Sequence, residues 1–151
     1  MENPLTDKES AAIWIRVAAA WDIRPVFYYP LEDTSSRRDL LALETSLFHA
    51  VDGVNQVRRA LAAHGVDRCW EFHEFKHLPT KRIAIREWSA TYAGTERFWT
   101  SEPLDWLLYL SHEESITLGG AWLVEAFKRA EPRWRELLWK AGDPQFVHRS
   151  A

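Results

Sequence analysis

The sequence has little cysteine and glycine, and neither sign of charge is in large excess. Its one cysteine, Cys69, excludes an intramolecular disulfide and favours a reducing compartment. The formal net charge of −3 gives no bulk attraction to nucleic acid or to anionic membranes, so we expect neither as a partner. The most apolar stretch, residues 11–23, contains Arg16 and Asp22 and is too short to cross a bilayer. With no secretory signal pattern in the first residues, we expect a cytoplasmic protein.

Hydrophobic and aromatic residues are abundant instead. Hydrophobic residues make up 46% of the 151 positions and charged residues 27%, which is typical of a folded globular protein. Nine tryptophans argue against disorder. The length fits one ordinary domain, so we expect residues 1–151 to form a single globular domain.

Two helices are predicted in the first half of the chain. Thr6 and Glu9 have the spacing of a capping box, which predicts a helix that begins there and continues to about Trp21. Apolar residues then recur every three or four positions over residues 40–64, which predicts one long central helix with a bend at Gly53. This stripe fits a coiled-coil dimer, but its width favours packing on a sheet of the same chain.

A short strand is predicted at residues 26–29, and the apolar period changes to two between residues 69 and 119. Short polar turns separate the runs, including residues 92–95 and 111–114, which indicates a mainly antiparallel sheet of about five to six strands. Two helical patterns follow, beginning near residues 121 and 132. The predicted fold class is therefore α+β, with N-terminal, long central and C-terminal helices flanking the sheet.

The segment His73-Glu74-Phe75-Lys76-His77 resembles the H-E-x-x-H motif of zinc metalloproteases. The resemblance implies zinc ligands at His73 and His77 and a general base at Glu74, and it requires a helix over residues 70–78. However, the preceding residues alternate with a period of two, which favours a strand, where side chains four positions apart lie about 13 Å apart. We therefore expect no metal or other cofactor, and a zinc-dependent hydrolase is an alternative.

A second polar group lies in the predicted turn Ser111, His112, Glu113 and Glu114. Its interpretation as a polar turn, whose side chains accept hydrogen bonds from backbone amides, competes with a functional one. In the functional interpretation residues 111–120 bind a small ligand, and backbone amides at the start of the following helix hold an anion. A small-ligand binder is thus a second alternative.

Three tryptophans have polar neighbours in the sequence and are expected to be partly exposed: Trp88, Trp99 and Trp139. Tryptophan is enriched at binding hot spots, so these residues are candidates for contact with another protein. No complete catalytic motif accompanies them, so we do not expect an enzyme. The leading hypothesis is a non-catalytic protein-binding domain, by analogy with bacterial immunity proteins and small adaptors. A homodimer is one form that such binding takes.

Overall fold

A computed structural model describes residues 4–24, 30–74 and 78–140 of the chain. In this part, six strands form one antiparallel sheet with the order β1-β6-β5-β4-β2-β3. The strands are β1 (Leu40–Glu44), β2 (Arg68–His73), β3 (Lys81–Ala84), β4 (Arg97–Thr100), β5 (Leu107–Leu110) and β6 (Ser115–Gly119). The predicted α+β class with a mainly antiparallel sheet is confirmed.

Helices cover both faces of this sheet. They are α1 (Asp7–Trp21), α2 (Leu31–Thr34), α3 (Thr45–Ala50), α4 (Gly53–Ala63) and α5 (Ala121–Ala130), with short 3₁₀ helices η1 (Ile85–Glu87) and η2 (Trp134–Leu137). Successive residues of β5 belong to different cores: Leu107 packs with residues of α1, and Leu108 packs with residues of α3, α4 and α5. Because β5 and β6 are buried on both faces, every residue of these two strands is shielded from solvent.

Helix α1 begins as predicted. The Thr6 hydroxyl accepts the Glu9 N–H, and the Glu9 carboxylate accepts the Thr6 N–H, which completes the capping box. The helix ends where Asp22 takes a left-handed conformation at φ 52°. Val17 and Trp21 lie on its buried face. The strand predicted at residues 26–29 lies outside the described residues.

The prediction of a single long central helix over residues 40–64 is wrong. Its first part is the strand β1, which pairs with β6 and places Leu41 opposite Leu118. The rest divides into α3 and α4, because Asp52 takes a left-handed conformation at φ 56° between them. The chain therefore breaks next to Gly53, between two helices, rather than bending within a single one. Residues 40–43 are all apolar, so their spacing fits a doubly buried strand as well as a helix, and pairing with β6 decides between the two.

Two further local predictions are corrected. Residues 92–95 do not connect paired strands, because β3 and β4 lie on opposite sides of β2. The segment that starts near residue 132 forms the 3₁₀ helix η2 rather than an α-helix. Beyond η2 the chain reaches the edge strand β1, where Leu138 bridges to Leu43 and the Trp139 N–H donates to the Ala42 carbonyl at 3.0 Å.

Candidate functional site

The three tryptophans expected at the surface are buried. Trp88 and Trp99 have no exposed area and Trp139 is 6% exposed. Polar sequence neighbours did not indicate exposure, since packing by residues distant in the sequence covers these rings. The Trp99 Nε1–H donates to Glu71 at 2.9 Å and the Trp139 Nε1–H donates to the Glu113 carbonyl at 3.0 Å. These rings form the core and do not provide a contact surface in this structure.

The turn between β5 and β6 uses its polar side chains internally. The hydroxyls of Ser111 and Ser115 lie 2.8 Å apart, and the Glu113 N–H donates to the Ser111 hydroxyl at 3.1 Å. Ser111 and Glu113 are buried, whereas His112 and Glu114 are exposed. This arrangement fits the polar-turn interpretation, in which the side chains satisfy the backbone of a tight connection.

His112 lies between two buried carboxylates, one of which the sequence did not single out. Its Nδ1 is 2.6 Å from Glu96 and its Nε2 is 2.7 Å from Glu113, and both carboxylates are about 5% exposed. Glu96 also accepts the His112 N–H, and its own N–H donates to Glu74 at 2.9 Å. Both ring nitrogens therefore have partners. The contacts join the end of β2, the start of β4 and the β5–β6 turn, so they stabilise the packing of these three segments.

The helix required by a zinc hydrolase is not formed at residues 70–73, which belong to β2. His73 Nε2 lies 3.5 Å from a Glu71 carboxylate oxygen, and burial lowers the pKa of the His73 imidazole. The Glu74 carboxylate accepts the Glu96 N–H rather than pointing to a metal site. His77 lies outside the described residues. Within residues 4–24, 30–74 and 78–140, no group of three or more His, Cys, Asp or Glu side chains is placed to hold a metal ion.

The anion predicted at the start of α5 is supplied by the chain itself. The Gly120 N–H donates to the Asp39 carbonyl at 2.9 Å, and the Ala121 amide lies near enough to the Asp39 carboxylate to contribute to lowering its pKa. Arg37 holds that carboxylate through two hydrogen bonds, including one of 2.8 Å from its Nε. The hydrogen bond from the Arg37 guanidinium lowers the pKa of Asp39 below its ordinary value. An external anion at this helix start would have to displace Asp39.

A groove between α4 and the segment around η1 carries concentrated charge. Its volume is about 600 Å³. The charged side chains that line it are four arginines and one aspartate: Arg58, Arg59, Arg68, Arg86 and Asp67. Arginine presents a planar fork of N–H donors that matches carboxylate and phosphate oxygens. We call this feature the arginine groove.

The turn after α4 assembles the arginine groove. Gly65, at φ 87°, reverses the chain, and the Val66 N–H donates back to the Leu61 carbonyl at 3.0 Å, which is a typical helix end. The chain then enters β2 beside the helix it has just left. The Ile85 N–H donates to the Asp67 carbonyl at 2.8 Å, which fixes η1 against this turn. As a result, arginines of α4 and of η1 face the same groove.

The arginines of the groove differ in how they are held. The Nε–H of Arg58 donates to the Trp88 carbonyl at 2.8 Å, its Nη2 also reaches that carbonyl, and its Nη1 lies 3.4 Å from Asn55 Oδ1. Arg59 and Arg86 are exposed and make no hydrogen bond or ion pair with any described residue. The groove thus combines an anchored guanidinium with guanidiniums available to a ligand.

Sequence reasoning missed this groove for a specific reason. Arg58 and Arg59 are adjacent in the sequence, and Arg86 lies almost thirty positions later. Only the packing of α4 against η1 brings them together. The adjacent arginine pair was the one local signal.

None of the helices in the described part is long and apolar enough to span a membrane. The sequence matches no known family model, and no similar chain was found among functionally curated proteins or solved structures.

Proposed function

We propose that this chain is a non-catalytic cytoplasmic domain that binds another protein, and that the arginine groove is its binding surface. The observation that carries the proposal is the convergence of four arginines in one groove of a chain whose net charge is −3. The sequence predicted a binding surface at Trp88, Trp99 and Trp139. Since these rings are buried, the arginine groove takes the place of that surface in the proposal. The proposed partner is still another protein, but the residues proposed to contact it are different.

Charge segregation supports a binding role for the groove. The four arginines and Asp67 give the groove a formal charge of +3, so the remainder of the chain is more acidic than the total suggests. Such separation of charge steers a complementary partner toward one face and excludes partners of the wrong sign. Arg59 and Arg86 have no ion-pair partner among the described residues, so they add nothing there to the fold by ion pairing, whereas free guanidiniums suit recognition.

No comparable feature of the described residues supports the two alternatives. The His73 and Glu74 pair lies at the end of a strand, and the residues of the 111–120 turn hydrogen-bond to one another.

Site-specific photo-crosslinking tests the proposed function. A photoreactive amino acid replaces Ala62, an exposed residue that lines the groove, and in a matched control it replaces exposed Ala130 at the end of α5. After irradiation in extract from the cells that make the protein, we expect one discrete protein adduct from position 62. The adduct should disappear when Arg59→Glu and Arg86→Glu are added.

Identification of the adduct decides the outcome. The crosslinked protein is named by mass spectrometry, purified and titrated against the wild-type chain, and saturable binding that depends on both arginines supports the proposal. Equal adducts from positions 62 and 130, or adducts unaffected by the arginine changes, would contradict it. An adduct of twice the chain's own mass would show that the partner is a second copy rather than another protein.

A further inference from the structure

The floor of the arginine groove is aliphatic. Ala62 and Val66 line it from the α4 side, and Ala84 and Ile85 line it from the sheet side. Ala84 and Ile85 are only 6% and 5% exposed, so they belong to the core and present a fixed surface. No described aromatic side chain lines the groove. Its ligand therefore meets hydrocarbon below and guanidinium groups at the rim.

We propose that the groove binds an acidic segment of the partner protein that also carries aliphatic side chains. This inference rests on the proposed function and adds the chemistry of the partner. Carboxylates of the segment pair with Arg59 and Arg86, while an aliphatic side chain between them covers Val66 and its neighbours. Removal of apolar surface from water is favourable, so the floor adds affinity that charge alone does not supply.

The positions of the arginines favour a segment lying between two walls. Arg58 and Arg59 belong to α4, whereas Arg86 belongs to η1, so the arginines come from two elements that line the groove. Arg58 is already fixed by the Trp88 carbonyl, so less side-chain entropy is lost when a carboxylate binds it. Acidic groups on both sides of a bound segment can therefore be paired at the same time.

The same features disfavour nucleic acid as the occupant. Single strands bind by stacking their bases on aromatic side chains, and none of the described residues that line the groove is aromatic. Duplex binding relies on many phosphate contacts across a broadly basic face, whereas this chain has a net charge of −3. Asp67 also places a carboxylate within the lining, where it would repel a continuous row of phosphates.

Fluorescence anisotropy with designed probes tests the inference on the full chain. Three labelled peptides of equal length are compared: one rich in Glu and Leu, one with each Glu replaced by Gln, and one with each Leu replaced by Ser. A single-stranded oligonucleotide of similar length is the fourth probe. Binding is measured in wild type, in the Arg59→Glu/Arg86→Glu variant, and in the control Arg129→Glu, which changes an exposed arginine of α5 outside the groove.

We expect the Glu–Leu peptide to bind most tightly. Its affinity should fall about tenfold or more in the double variant, stay within about twofold in Arg129→Glu, and weaken as salt rises from about 50 to about 300 mM. The Gln and Ser peptides should each bind about tenfold more weakly than the Glu–Leu peptide. Arg59→Gln/Arg86→Gln, which removes charge without reversing it, should give an intermediate affinity.

Other results would overturn the inference. Equal affinity for the Gln peptide would show that acidic groups are not recognised, and equal affinity for the Ser peptide would show that the aliphatic floor is not used. Tighter binding of the oligonucleotide would assign the groove to nucleic acid. If no peptide binds although crosslinking at position 62 identifies an arginine-dependent partner, the inference fails and the proposed function stands. If both experiments fail, both proposals fail.

Discussion

The ring of Phe48 packs directly over the Cα of Gly53, so a Cβ at position 53 would lie 2.7 Å from Phe48 Cγ and closer still to two other ring atoms. Phe48 has no exposed area and stacks on Phe127 with a centroid distance of 5.9 Å. The ring therefore has no free space into which to move. This close approach is how the α3–α4 corner packs against α5.

Gly53→Ala should destabilise the protein through this overlap. We expect the free energy of unfolding to fall by about 1–3 kcal/mol, since inserting a methyl group into a packed core forces neighbours out of place. Urea denaturation followed by tryptophan fluorescence measures the change. Gly94→Ala is the comparison, because φ is 84° there but no atom lies within 4 Å of an added Cβ, so it tests backbone strain alone. Equal losses in the two variants would contradict steric overlap as the cause.

His112→Ala should also weaken the fold. The change leaves the buried carboxylates of Glu96 and Glu113 without the imidazole that contacts both, and a loss of about 1–3 kcal/mol is typical of a buried charged group that loses its hydrogen bond. Adding Glu96→Gln should recover part of the loss, because it removes one of the two charges. Thermal or urea denaturation gives both values. In the same turn, exposed Glu114→Gln should change the free energy by less than about 0.5 kcal/mol.

The pairing of Asp39 with Arg37 predicts a pH dependence of stability. The pKa of Asp39 is lowered in the folded protein, so its contribution is fully present above the pKa of about 3.9 that an unfolded Asp has. The contribution is lost as pH falls through the lower folded pKa. The difference in unfolding free energy between wild type and Asp39→Asn should therefore be constant near neutral pH and shrink below about pH 4.

Urea denaturation at several pH values measures this difference. Asp67→Asn is the control, since the Asp67 side chain is exposed and no ion pair is found for it among the described residues. It should shift the unfolding free energy by less than about 0.5 kcal/mol at neutral pH. A difference for Asp39→Asn that grows as pH falls would contradict the assignment.

Cys69 should resist alkylation in the folded protein. The residue is 2% exposed, and burial raises the pKa of its thiol far above the ordinary value, with the Glu71 charge acting in the same direction. Little thiolate is then present at mildly alkaline pH. Mass spectrometry after treatment with iodoacetamide should find the native protein unmodified and the urea-unfolded protein fully modified. Rapid modification of the native protein would show that the β2 environment opens readily.

Local signals in the sequence predicted the features that depend on neighbouring residues. The Thr6–Glu9 capping box identifies the start of α1 because both of its hydrogen bonds lie within four residues. The tight connection at residues 111–114 is likewise local. By contrast, β1 becomes a strand only through pairing with β6, some seventy positions away, and nothing in its own apolar run distinguishes strand from helix.

The candidate site was less accessible to sequence reasoning, because distant contacts create it. Whether Trp99 is exposed depends on the helices that pack over β4, not on Thr100 beside it. Glu96 meets His112 because the register of β4 and β5 places Arg97 opposite Leu110. The arginine groove exists because η1 packs against the turn after α4. From the sequence, therefore, neither the neighbours nor the role of a polar side chain on a predicted helix could be identified.

The bridge between Leu43 and Leu138 has a consequence for how the protein behaves at high concentration. An uncovered edge strand offers unpaired amides and carbonyls to other chains and promotes aggregation. Here, residues 138 and 139 hydrogen-bond to β1 and occupy part of that edge. Residues 138 and 139 therefore hinder edge-to-edge association between chains. Removal of these two residues would leave the outer edge of β1 free to pair with a strand of another chain.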